Sequence, residues 1–298
     1  MTTILISGGT GLIGKRLSMK LRERGYHVRV LSRRTGNSDT VRWDIESGYI
    51  DPNALQGVDA IIHLAGEGIA DKAWSDHRKA EIINSRVNST KLLYTTLQNN
   101  SHQVKHFISA SATGLYSDRG DELMFENSSP ANDFLGKTCI AWEESIDKIS
   151  TLGIRTVKLR TGIVLTIDGG ALKKMIAPFK FGFGSALGNG KQWMSWIHED
   201  DLCNMYIFAL ENQELQGAYN AVSPEPATNF DFSKTLAKVM NMPFWAPNVP
   251  AFVLKLIFGE MSAVVLGSTK ASADKIISTG FKFKYPNLKD CLIALLKK

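Results

Sequence analysis

What this chain lacks excludes several classes of protein. No run of about 18 apolar residues occurs, so no segment is expected to span a membrane. No basic region and cleavage site bracket the N-terminus, which reads as a core strand rather than a signal peptide. Cysteine is scarce: Cys139, Cys203 and Cys291 are far apart and odd in number. That suits neither zinc nor a disulfide framework and points to a reducing, cytoplasmic setting. There is no block of like charge. The formal charge of +6 comes from scattered basic residues, with only short pairs such as Lys173-Lys174 and Lys297-Lys298. Without aromatic-basic interleaving, nucleic acid is not an expected partner. No internal repeat or low-complexity tract is present.

What is there suits a globular protein. The 298 residues are 44% hydrophobic and 21% charged, enough for one large α/β domain or one and a half. The most informative stretch is residues 3–16, TILISGGTGLIGKR. A short apolar run (Ile4, Leu5, Ile6) feeds glycines at 8, 11 and 14, and a helical pattern follows through Leu12, Ile13, Leu17 and Leu21. Strand, glycine turn and helix in that order form the first unit of a dinucleotide-binding fold. Gly8 permits the tight turn, Gly11 lets the backbone approach a pyrophosphate, and Gly14 lets helix pack on strand. The helix N-terminus offers free N–H groups and a positive dipole end. Gly9 to Lys15 also nearly spells an NTPase P-loop, but the next residue is Arg16 where magnesium binding needs Ser or Thr.

Strands then alternate with helices. HVRVLS (27–32) is a second strand. At its end stand Ser32, Arg33 and Arg34, where NAD-preferring folds place an acidic residue. A hydroxyl beside a guanidinium suits a 2′-phosphate, so NADP(H) is expected over NAD(H). VRWD (41–44) is a third strand, with Asp44 placed to reach the adenine edge. DAIIHLAG (59–66) is near-continuously apolar, as in a parallel strand buried on both faces. His63 inside it reads as a satisfied core residue, and Leu64 and Ala65 at its end leave room for a cofactor. Helices over 74–97 and 135–149 flank a strand over 104–111 that ends among Ser109, Ser111, Thr113 and Tyr116. A further strand covers 154–165. This order predicts a doubly wound parallel sheet.

Past Gly169-Gly170 the composition changes. Residues 181–202 are rich in glycine and aromatics and read as loops over a site. A strand (219–223) and a helix (230–240) follow. The apolar run 251–266 reads as a helix packed on the body rather than lying on a membrane. Residues 1–170 form the expected nucleotide-binding domain, with later segments returning to it. Residues 171–298 form mainly a substrate lobe.

Together GGTGLIG, SRR, IIHLAGE, ISASATGLYSD and GNGKQWMSWIHEDDL resemble the extended short-chain dehydrogenase/reductase superfamily in order and spacing. AGEGIADKAW, the KAEIINSR helix and the C-terminal appendage at about 247–296 resemble its atypical NAD(P)-dependent, nucleoside-diphosphate-sugar-epimerase-like branch. The resemblance implies an α/β, Rossmann-type domain with a smaller C-terminal lobe closing over a substrate cleft. It implies NADP contacts at Gly8, Gly11, Leu12, Ile13, Ser32, Arg33, Leu64, Ala65, Glu81, Arg86 and Val164. Members are monomers or homodimers.

The active-site residues depart from that pattern. The superfamily uses Ser or Thr, then a Tyr with a Lys four residues on, the Lys lowering the Tyr pKa for proton exchange. Ser111 matches the first. Counting back from Glu143 puts Leu135 at the Tyr position and Cys139 at the Lys position. Tyr116 is the one tyrosine placed to substitute, its alternative role being a cleft-wall aromatic. The Arg that clamps a nucleotide-sugar diphosphate falls on Met194, and Lys191 lacks Arg's bidentate fork. Trp193 and Trp196 suggest a flatter, more apolar ligand. His198 and Asp201 read as structural, Asp201 capping a helix. Three readings follow: an NADP(H)-dependent oxidoreductase on an unknown small substrate, a nucleotide-sugar epimerase, or a non-catalytic NADP(H)-sensing protein.

Overall fold

The computed structural model describes every residue except Thr35, Asn37 and Lys298. The first half of the chain runs through Thr3–Ser7 (β1), Leu12–Glu23 (α1), His27–Ser32 (β2), Thr40–Asp44 (β3) and Tyr49–Ile50 (β4). Ala60–His63 (β5), Asp76–Asn99 (α2), His106–Ala112 (β6), Leu123–Met124 (β7), Phe134–Ser150 (α3) and Arg155–Thr161 (β8) follow. After Ile163–Leu165 (β9) come Gly170–Lys180 (α4), Trp193–Met194 (β10), Trp196–His198 (β11), Glu199–Glu211 (α5) and Gly217–Ala221 (β12).

The 8-stranded sheet has the order β12-β8-β6-β5-β1-β2-β3-β4 and is parallel except for β4. The chain builds outward from β1 to β3, then crosses back to β5 and builds the other way. The switch point therefore lies between β1 and β5, and a crevice opens beyond their carboxyl ends. Alternation along each strand feeds two layers. Ile4 and Ile6 face Leu17 and Leu21 of α1 and Met205 and Tyr206 of α5. Leu5, Ile61 and Phe107 face Leu93 of α2 and Trp142 and Ile146 of α3. Residues 199–221 thus return to the nucleotide-binding layers.

The strand expected over 154–165 is split at Gly162. A Cβ there would meet the Ser195 carbonyl oxygen at 2.3 Å and Val222 at 2.9 Å. The chain leaves the main sheet at this point, and β9 pairs with β11 instead. Residues 181–202, expected as loops, contain β10 and β11 and the start of α5. The lobe beyond has its own core of Leu172, Ile176 and Phe179 against Phe232, Leu236 and Leu292. It includes Ala227–Thr228 (β13), Asn229–Met240 (α6), Ala251–Phe258 (α7), Ala263–Leu266 (α8), Lys270–Ala271 (β14), Asp274–Ser278 (α9) and Leu288–Leu296 (α10). The apolar run 251–266 is not one helix packed on the body. It breaks at Gly259, and of α7 only Leu254 is buried.

His63 is a fully enclosed polar group at the centre of the sheet. Ser7 Oγ accepts from the Leu64 and Ala65 amides, so its proton goes to His63 Nδ1, 2.5 Å away. Nε2–H then donates to Ser89 and Thr90, each 3.2 Å away, whose own hydroxyls donate to the Arg86 carbonyl. Burial, aided by Arg86, pushes the imidazole down to about 3. The unfolded chain binds this proton near pH 6.5 and the folded chain does not, so stability is full above 6.5 and falls toward pH 3. The urea unfolding free energy of the wild type should decline with acid by up to about 1.4 kcal/mol per pH unit more than that of His63→Asn across that window.

Candidate functional site

The glycine turn joins β1 to α1 at the switch point. Gly8 sits at φ 71°, and a Cβ there would strike the Leu64 backbone at 2.8 Å. Gly14 is tighter still, with a Cβ position 2.2 Å from the Gly8 carbonyl oxygen. Gly11 differs: a Cβ would meet only that oxygen, at 3.2 Å, so space remains open above it. Gly11 is the N-cap of α1, with no capping side chain and no acidic residue in the first turn. The amides of Leu12, Ile13 and Gly14 therefore begin a helix whose positive end is not neutralised. Across the turn, Gly169 at the head of α4 lies against the Leu12 side chain.

The other expected cofactor residues gather at the same strand ends. Ser32 closes β2, and its Oγ accepts from the Arg34 amide at 3.1 Å. Arg33 is exposed and forms no ion pair among the described residues. Asp44 closes β3, and its carboxylate is turned back on the chain. Hydrogen bonds from Ser47 and the Glu46 amide hold it below its usual range. Leu64 and Ala65 leave β5 on Ser7, and Val164 lies in register with Ile197. Arg86 is half-buried with no ion pair among the described residues. It donates to the Ile82 carbonyl at 2.8 Å, lies 5.0 Å over the Trp142 ring, and borders Gly66. Burial lowers its pKa, as expected of a guanidinium without a carboxylate. Glu81 is not brought to Arg86. Its partner is Arg78 at 2.8 Å, which also donates to the Gly68 carbonyl.

The two residues expected to carry catalysis are held elsewhere. Ser111 is buried and donates to Glu143 Oε1 at 2.7 Å. Tyr116 has no exposed surface; its hydroxyl donates to Asn220 Oδ1 at 2.7 Å and accepts from Arg160 Nη1 at 2.9 Å. Arg160 and Glu143 form a bidentate pair at 2.8 and 2.9 Å. Burial raises the Tyr116 pKa, the reverse of what a proton exchanger needs. Both hydroxyls are engaged in a closed buried network, so neither is placed to relay a proton to a ligand in the cleft. Leu135 and Cys139, one turn apart on α3, both lie against Gly114. Burial and Glu143 push the Cys139 thiol up to about 12, leaving it neutral at pH 7.

Other expectations about the cleft also change. Trp196 is fully buried and donates to the Glu225 carbonyl, so it is core. Trp193 donates to Asp121 at 2.7 Å, beneath Lys270. Met194 belongs to the lobe core. His198, not Asp201, caps α5, its Nδ1 accepting from the Asp200 amide. Asp201 instead accepts the Lys284 and Tyr285 amides of the appendage at 2.8 and 2.9 Å. A cleft of about 410 Å³ opens between Ser117, Asp118 and Asp133 on one side and Asn189, Gln192 and Lys255 on the other. Asp133 caps α3 through Gly136 and accepts from Ser117, which is held at φ 53°. Sequence reasoning missed this pair; the cue was an Asp three residues before Gly136, an N-cap signature.

Comparison with known proteins agrees with this architecture. Residues 4–222 match the family model described as NAD dependent epimerase/dehydratase family, and residues 249–295 match a domain of unknown function, DUF1731. The epimerase family protein YfhF of Bacillus subtilis is 36% identical, over 98% of this chain and 97% of that one. Among solved structures, human epimerase family protein SDR39U1 with NADPH has a TM-score of 0.89 at 29% identity, covering all of both chains. A nucleoside-diphosphate sugar epimerase from Corynebacterium glutamicum has a TM-score of 0.83 at 30% identity, over 99% of this chain and 58% of that one. The chain belongs to the NAD-dependent epimerase/dehydratase family.

Three outcomes follow from the packing and the buried network. Gly14→Ala should destabilise the protein by about 3 kcal/mol in urea unfolding, because backbone must move. Gly11→Ala should lose less than about 1 kcal/mol, its φ being ordinary and its surroundings open. Tyr116→Phe should lower stability by about 1–3 kcal/mol, since Asn220 and Arg160 each lose a buried partner.

Proposed function

We propose that this protein is an NADP(H)-dependent oxidoreductase acting on a small molecule held in the cleft between Asp133 and Lys255. The observation that carries the cofactor reading is the fit at Gly11: an open cradle above an uncapped helix N-terminus, at the switch point of a parallel sheet. The Gly8–Gly14 turn, with the Leu12 and Ile13 amides, would hold the pyrophosphate. Ser32 and the exposed Arg33 would hold a 2′-phosphate, which an acidic residue there would repel. Leu64, Ala65 and Val164 would flank the ribose and nicotinamide. Arg86, desolvated and without a carboxylate, would gain a partner from an anionic ligand, and Glu81 would fix the strap that carries Gly68. Asp44, its carboxylate turned inward on Ser47, would reach the adenine only by its outer edge. The NADPH-bound human relative supports the phosphate form.

The nicotinamide would supply hydride, and the protein's task is to place a substrate and manage a proton. With Ser111 and Tyr116 spent in the buried network, the acid–base groups on the cleft are Asp133 and Asp118. A nucleotide-sugar substrate is disfavoured, because Met194 is in the core and the cleft has two carboxylates against one lysine. The second reading, a non-catalytic NADP(H) sensor, is favoured by the neutral Cys139 where a lysine would act. A cytoplasmic location and a monomer or homodimer complete the proposal.

Titration of nicotinamide fluorescence with NADPH and NADH tests the cofactor. NADPH should bind more tightly, and Arg33→Ala should weaken it about tenfold, a loss of about 1.4 kcal/mol, while sparing NADH. Failure to bind either dinucleotide would sink the proposal. NADPH oxidation against a panel of aldehydes and ketones then separates the readings, since a sensor shows none.

A further inference from the structure

The C-terminal lobe has an exposed apolar face with no part in nucleotide binding. In α7, AFVLKLIF, Leu254 is the only buried residue, at 4% exposure. Phe252, Leu256 and Ile257 point outward, and with Phe181, Phe183 and Trp245 they are between 64 and 84% exposed. These six residues come from two segments that lie side by side. Val249 donates to the Ala186 carbonyl and accepts from the Gly188 amide. That contact is three residues from Phe183 on one segment and three from Phe252 on the other. The helices α4 and α6 of the same segments share one core.

The charge of these segments is one-sided. Residues 169–198 contain four lysines and residues 232–259 contain three, and neither stretch has an Asp or Glu. All seven lysines are exposed, and none forms an ion pair among the described residues. The rest of the chain is near neutral, with 28 basic against 29 acidic residues, so these segments carry the whole positive excess. Basic residues that look scattered along the sequence therefore leave their excess in these two segments, with Asp231 and Glu260 just outside them.

We propose that this face docks onto an anionic phospholipid surface. Exposed aromatic and aliphatic side chains, on segments whose only Asp, Glu, Lys or Arg residues are lysines, match the interfacial layer of a bilayer, where apolar groups sink among acyl chains and ammonium groups snorkel to the phosphates. No described helix is long and apolar enough to cross the membrane, so attachment is from the surface. A second copy is a poor occupant, because a two-fold contact would bring two like-charged pairs of segments together. A nucleic acid would satisfy the lysines but not Leu256 and Ile257, which offer no ring for base stacking.

Flotation of the full chain with vesicles tests this. Protein should rise with phosphatidylcholine vesicles containing about 30% phosphatidylserine, rise little with phosphatidylcholine alone, and be released by about 0.5 M salt. The triple substitution Phe252→Ser, Leu256→Ser, Ile257→Ser should cut the bound fraction roughly tenfold without lowering the melting temperature. Lys180→Glu with Lys238→Glu should do the same while leaving the apolar face intact. No flotation on anionic vesicles would overturn the proposal. So would flotation unchanged in both variants, or a dimer by light scattering that dissociates in the triple variant. So too would RNA binding that needs the lysines but not the three apolar residues.

Discussion

The buried guanidinium of Arg160 is the interaction on which the two halves of the molecule depend. On β8 it faces α3, where Glu143 takes two of its N–H groups. A third N–H group donates to the Glu126 carbonyl and to Tyr116. Tyr116 passes the chain of bonds to Asn220 on β12, and Asn220 donates to the Ser272 carbonyl in the appendage. Burial opposes both charges, yet the paired hydrogen bonds leave Glu143 below its usual range and Arg160 above. Such a pair is weak evidence of net stability over an apolar core. Removing one partner, however, typically costs about 3–5 kcal/mol because the other charge stays buried. The network therefore fixes the lobe to the sheet by geometry more than by strength.

The same network takes up the Ser111 and Tyr116 hydroxyls, whose lone pairs and protons are committed to a desolvated ion pair. A phenol in such surroundings resists ionisation. What remains accessible is the rim: Asp133 at the head of α3, Ser117 in a left-handed turn beside it, and Asp118. The cleft is thus acidic on the sheet side, whereas the lobe side carries lysine.

Much of the fold was legible because parallel strands buried on both faces leave short apolar runs bounded by glycine and polar turns. HVRVLS is a strand over its whole length, and the glycine turn was readable because each glycine answers to a different steric demand. Ser32, Asp44, Leu64 and Ala65, expected at a cofactor, lie at strand ends, so topology alone collects them. What was not legible depended on partners distant in sequence. Tyr116 reads as a catalytic candidate until Arg160, 44 residues away, is seen to hold it. Trp196 reads as a ligand-facing aromatic until β9 turns out to leave the main sheet at Gly162 and pair over it. The apolar helix α7 reads as core because hydropathy reports what a segment avoids, not whether anything covers it.

The bond between Asp201 and the appendage has a consequence for the order of assembly. The sheet that carries the glycine turn is complete only when β12 is added, well after that turn has left the ribosome. The carboxylate at the head of α5 then waits longer still, until Lys284 and Tyr285 supply its amides. Until those residues are made, Asp201 has no main-chain donors for its buried oxygens. The N-terminal glycine motif is therefore among the first parts synthesised, and the Asp201 carboxylate is among the last to be satisfied.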